Sequence, residues 1–205
     1  IQNATTIIFP LGAQNEITNY AQGFHFENTP LKAYNFNIHH LADHGLVLSD
    51  PDRAIGIDFY WAIGNPGLLE FDQFIFEDFN DVTPNAAEIG VRMRVLGSDV
   101  QLNASSNQID MARLNEGYNI LTTGCLSGEI EYNEILEARK NGINVQFTQE
   151  CFLTDLLVKD NEITVNGTFN EAAGISISSL LTTTQQDVRI LENNISVGLQ
   201  TSPQN

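Results

Sequence analysis

Positive charge is scarce in this chain: nine Lys and Arg stand against 26 Asp and Glu, for a formal net charge of -17. The basic residues are scattered, most of them singly, as at Lys32, Arg53, Arg113, Lys159 and Arg189. A surface that tracks phosphates needs clustered cations, so nucleic acid is disfavoured as a partner, and anionic membrane surfaces on the same ground. Long apolar runs are missing too. None approaches the roughly eighteen residues of a spanning helix, so membrane insertion is not expected. No Gly-rich phosphate loop follows a strand pattern and no Ser stands in a nucleophile elbow, which removes the usual signs of nucleotide chemistry and acyl transfer. The chain is not expected to be an enzyme, although glycoside hydrolysis needs only two suitably spaced carboxylates.

Cysteine is almost absent. Only Cys125 and Cys151 occur, and a single pair in a strand-rich chain with few lysines reads as a disulfide in an extracellular or cell-surface protein. Unbalanced negative charge destabilises a compact state through self-repulsion unless cations or a partner offset it, which makes calcium the expected cofactor if there is one.

What the sequence has in abundance is period-two alternation, the pattern of half-buried strands. Ile55, Ile57, Phe59 and Trp61 alternate with Gly56, Asp58 and Tyr60. Ile89, Val91, Met93 and Val95 do the same, as do Ile143, Val145 and Phe147, and a shorter run links Tyr34, Phe36 and Ile38. Turn residues separate the runs at Asp50-Pro51-Asp52, Asn65-Pro66-Gly67, Gly97-Ser98, Asp160-Asn161, Asn166-Gly167 and Asn193-Asn194. Links this short join antiparallel neighbours, because directly linked parallel partners need a crossover of a dozen residues or more. The expectation is an all-β fold, an antiparallel β-sandwich or jelly roll of about 10–13 short strands. One short helix is expected near residues 128–140, where early Glu129, Glu131 and Glu134 and late Arg139 and Lys140 suit a helix dipole. Tyr132, Ile135 and Leu136 stand there at helical spacing, and Gly142 lies just beyond. No repeat of twenty to fifty residues and no linker is evident, so 1–205 reads as a single domain.

Three candidate sites follow. The densest acidic stretch contains Glu70, Asp72, Asp78 and Asp81, hard oxygen donors able to surround calcium. Glu70, Asp72, Phe74 and Asp81 locally resemble the metal-binding segment of legume-type lectins, with Glu88 where that segment has His and Phe76 where it has Asn. The resemblance implies a sandwich fold and a metal-assisted sugar site. His40 and His44 flank Asp43 at a spacing similar to the inverted zincin motif, but the acid is Asp rather than Glu and the flanks read as strands, so a connecting loop is expected. At the N-terminus, Ile7, Phe9 and Leu11 would line one face of an extended strand ahead of a polar stretch. Residues 1–19 therefore read as a possible exchangeable strand and linker, with Pro10 placing it at an edge. The function expected first is a structural subunit, like a pilin, matrix fibre or capsid protein, that binds itself by β-strand addition. The alternative is a calcium-dependent carbohydrate-binding or adhesin domain that binds glycans.

Overall fold

The alternating runs do form strands, but each pairs with a strand one full coil away rather than with its neighbour in sequence. The computed structural model describes residues 7–8, 15–18, 22–39, 54–62, 64–77, 88–110, 116–149, 154–167, 172–179 and 187–199. Three strands make a coil. The first coil holds β1 (Ile7–Ile8), β2 (Asn15–Thr18) and β3 (Gln22–Glu27), and the second β4 (Leu31–Tyr34), β5 (Phe36–His39) and β6 (Ala54–Trp61). The third has β7 (Gly67–Asp72), β8 (Ile75–Glu77) and β9 (Glu88–Val95), and the fourth β10 (Val100–Ser105), β11 (Gln108–Asp110) and β12 (Glu116–Thr122). The fifth has β13 (Leu126–Glu131), β14 (Glu134–Ala138) and β15 (Asn141–Phe147). The sixth has β16 (Asp155–Lys159), β17 (Glu162–Gly167) and β18 (Ala173–Ser179), and β19 (Asp187–Leu191) and β20 (Asn194–Leu199) begin a seventh.

Corresponding strands stack into three sheets, β1-β4-β7-β10-β13-β16-β19, β2-β5-β8-β11-β14-β17-β20 and β3-β6-β9-β12-β15-β18, and every pairing is parallel. The fold is a parallel β-helix. It overturns the antiparallel sandwich or jelly roll, and twenty strands among the described residues replace the expected 10–13. The links at Asn65-Pro66-Gly67, Gly97-Ser98, Asp160-Asn161 and Asn193-Asn194 do bend the chain, but they carry it from one sheet to the next, so their brevity says nothing about the direction of pairing; Asn166-Gly167 is no turn but the end of β17, and Asp50-Pro51-Asp52 lies outside the described residues. The coil is also the repeat that the sequence hid. Its length runs from 21 residues (Asn15 to Phe36) to 38 (Leu31 to Leu69), so no fixed period survives.

The helix expected at 128–140 does not form; among the described residues there is none. Gly128–Glu131 completes β13, Tyr132 and Asn133 turn a corner, and Glu134–Ala138 is β14. The 3.6-like spacing is accidental, since Ile135 points into the core while Tyr132, 55% exposed with φ 54°, sits outside the corner. Gly142 caps no helix.

Two rows of side chains define the corners. Between the first and second sheets a residue in the left-handed region (Gln73, Ser106, Tyr132, Asp160, Glu192) precedes one that turns inward (Phe74, Asn107, Asn133, Asn161, Asn193). In coils four to seven the inward residue is Asn. Its Oδ1 accepts the backbone N–H one coil below, as in Asn107 N–H to Asn133 Oδ1 and Asn133 N–H to Asn161 Oδ1, both 3.0 Å. Its Nδ2 donates to the next Asn Oδ1, at 2.8 Å from Asn107 and 2.9 Å from Asn133, and Asn133, Asn161 and Asn193 also reach a backbone carbonyl. Buried amides are thus engaged by their neighbours, which helps to fix the register of the stack. In coils two and three the same slot holds Phe36 and Phe74, stacked at 5.2 Å.

At the start of the third sheet stand Gly23, Gly56, Gly90, Gly117, Gly142 and Gly174. A Cβ on any of the first five would lie 2.5–2.7 Å from the carbonyl oxygen of the next glycine. Each glycine is covered by an inward side chain of the second sheet, in turn Ile38, Phe76, Ile109, Ile135, Ile163 and Ile195. The inward rows of the three sheets fill the interior, and Phe59 and Trp61 stack there at 5.8 Å.

Candidate functional site

In the first sheet, alternation puts one residue of each pair outside, and parallel in-register pairing lines those residues up across coils. One outer row reads Lys32, Glu70, Asn103, Glu129; the next reads Tyr34, Asp72, Ser105, Glu131. With strands about 4.8 Å apart, the acids at either side of Asn103 or Ser105 are separated by about 10 Å along the axis. All of these but Lys32, together with Gln101, line a groove of about 450 Å³.

The groove is acidic but not bare. Glu70 accepts from Lys32 Nζ at 2.8 Å and from the Tyr34 hydroxyl, and Asp72 accepts from Ser105 Oγ at 2.9 Å. The hydrogen bond to Glu70, with burial, pushes the Tyr34 phenol up to about 12. Burial pushes Glu70 up, but hydrogen bonds from Lys32 and Tyr34 outweigh it and hold this carboxyl below its ordinary value. Glu131 goes the other way, raised by burial and by the adjacent Glu129 carboxylate. The flanking Lys159 is already committed to Asp160 at 3.0 Å and Glu192 at 3.5 Å.

A second polar cluster covers the outside of the third sheet. Asp58, 1% exposed, accepts from Arg92 at 2.9 and 3.1 Å, from Arg94 and from His25 Nδ1 at 2.8 Å. The Arg94 guanidinium lies over the Tyr60 ring at 5.4 Å. Desolvation raises the Asp58 carboxyl, but the hydrogen bonds and charge of Arg92 and Arg94 prevail and leave it below 3.8. Two coils on, Glu116 is held instead by amides, Asn141 at 2.8 Å, Asn144 at 3.1 Å and Asn119.

The third feature is the open end of the coil. Among the described residues no strand pairs with the far edges of β19 and β20. Ile190, Ile195 and Val197 belong to the inward rows, in register with buried Val158, Ile163 and Val165, yet they are 48, 42 and 47% exposed, since no strand among the described residues stacks on them.

The sequence-predicted residues fall as follows. Glu70 and Asp72 share the groove, while Asp78 and Asp81 lie outside the described residues, as do His40 and His44. No group of three or more His, Cys, Asp or Glu able to hold a metal stands among the described residues. Cys125 is disulfide-bonded; Cys151, the other cysteine, lies outside the described residues. Ile7 is in β1, which pairs with β4 of its own chain through Ile7 with Leu31 and Ile8 with Lys32; Phe9 and Leu11 lie outside. Asn103, Ser105, Glu129 and Glu131 went unpredicted because they reach the groove from other coils. The Asn ladder had a visible signal, the triplet Asn-x-Ile at 107–109, 133–135, 161–163 and 193–195.

Compared with known proteins, the chain matches no family model, no curated sequence and no solved structure.

Proposed function

We propose that this protein is a non-enzymatic extracellular structural subunit that associates with copies of itself end to end, by β-strand addition at its C-terminal pole. The observation that carries the reading is the exposure of Ile190, Ile195 and Val197 on strands whose outer edges no strand pairs with among the described residues. An unpaired strand edge with apolar side chains is a template for further strands. A second copy fits it through the opposite pole. Among the described residues the sheets end there in β1, β2 and β3, so a copy displaced along the axis continues the first two in the parallel sense, β1 following β19 and β2 following β20. Head-to-tail contact of this kind does not close on itself unless the rotation does, so its product is a filament. The disulfide at Cys125 supports an oxidising compartment.

Light scattering over a concentration series tests this. The wild type is expected to grow in mass with concentration, and Val197→Lys, which puts a charge on the open edge, is expected to stay monomeric. A wild type that is monomeric at every concentration overturns the reading.

A further inference from the structure

The groove on the first sheet is separate from the pole, and its chemistry addresses a different partner. We infer that it is a binding cleft for an uncharged oligosaccharide lying along the coil axis. Its volume, about 450 Å³, falls in the range of small-ligand pockets. What lines it decides the ligand class.

The walls are rich in acceptors: the carboxylates of Glu70, Asp72, Glu129 and Glu131 stand two strands apart on either side of Asn103 and Ser105. Sugar hydroxyls are donors that carboxylates accept in pairs, and the amides of Gln101 and Asn103, each with one N–H engaged, the first on Asn103 Oδ1 at 3.4 Å and the second on Glu70, keep another to return to the ring and hydroxyl oxygens. An anionic sugar finds no cation to meet. Lys32 is held by Glu70, and Lys159 by Asp160 and Glu192. A uronate or sulfate would therefore enter a negative site without a counter-charge, an arrangement that rejects it. A bare cation is also a poor fit, since Glu70 and Asp72 already spend oxygens on Lys32, Tyr34 and Ser105. The rows are fixed by sheet register, so the cleft is preformed and repeats its hydrogen-bonding groups at the strand spacing, which suits a ligand with a repeating hydroxyl pattern.

The experiment is a glycan array with neutral, uronate-bearing and sulfated glycans at pH 7, followed by calorimetry with the best neutral oligosaccharide. It is run on the Val197→Lys variant as well as the wild type, so that a failure of self-association does not mask binding. Neutral glycans are expected to bind and the anionic ones not. Asn103→Ala and Glu129→Ala are each expected to weaken binding about tenfold, while Glu137→Ala on β14, outside the cleft, leaves it unchanged. Circular dichroism checks the fold, and the solvent-facing Gln101→Ala stands in for either variant that does not fold. The inference is overturned if no neutral glycan binds, if anionic glycans bind better, or if the cleft variants bind like the wild type.

Discussion

Coils two and three and coils four to seven solve the same geometric problem with different chemistry. At the corner between the first two sheets, the early coils stack Phe36 on Phe74, and Phe74 also packs against Phe71 and Phe76. The later coils put Asn107, Asn133, Asn161 and Asn193 in the same place. The outer face of the third sheet divides likewise, with Asp58 held by arginines early and Glu116 held by asparagines late. Where the halves meet, the Phe74 N–H donates to Asn107 Oδ1 at 2.9 Å, so the two chemistries are joined by a backbone group that either can use. Rings fill volume without demanding an alignment. Amides demand one, because each has donors and acceptors that a shifted neighbour would leave unpaired.

That contrast has its largest test in a matched pair of substitutions. Asn133→Leu strands the Asn107 N–H and Nδ2 and the Tyr118 hydroxyl that it accepts from, together with the Ala104 carbonyl that it donates to. The expected loss is about 4 kcal/mol in urea unfolding. Phe74→Leu keeps an apolar group of similar shape and is expected to lose only about 1 kcal/mol. Equal losses would show that the ladder is mere filling.

The next effect concerns the charged cluster. Asp58 has a folded pKa below its ordinary 3.8, so its ionised form favours the fold above that pH, and the contribution fades as pH falls through the lower folded value. Thermal stability is expected to drop on acidification below about pH 4. Asp58→Asn removes the buried carboxylate to which Arg92 donates twice, and is expected to lower stability at pH 7 by about 3 kcal/mol while flattening the acid limb. A melting curve series from pH 2 to 7 reads both. An unchanged acid limb would mean that other carboxylates dominate it.

The smallest effect lies at the strained corner residue. Tyr132 holds φ 54° with its side chain exposed, a conformation that glycine adopts without strain. Tyr132→Gly is expected to raise stability by about 0.5 kcal/mol, the relief being partly cancelled by the entropy of a more flexible unfolded chain. A clear loss would show that the ring makes a contact worth more than the strain.

Alternation made the strands and their inward faces legible: Ile57, Phe59, Val91, Met93, Ile143 and Val145 are all fully buried. Pairing was not legible, because a corner such as Asp160-Asn161 and a hairpin turn use the same residue types, and only the identity of the partner tells them apart. The Asn-x-Ile triplets could have told them apart, yet the uneven stretches between them disguise the repeat. Half of the groove was visible as the acidic stretch at Glu70 and Asp72. The other half comes from strands one and two coils away, a proximity that no local spacing encodes.

The two-residue corner has a consequence for how the chain comes together. With that corner fixed, a coil changes length only elsewhere, and every strand closes a loop of between 21 and 38 residues on the one before it. Loop entropy varies slowly, by about 0.6 kcal/mol per doubling, so a long coil is added almost as easily as a short one. Assembly is a zipper with a moving front, each coil depending only on its neighbour. Such a chain can order itself progressively while the rest is still being made. Melting should run the same way, and hydrogen exchange should show protection rising from the bare coil at β19 and β20 toward the middle of the stack.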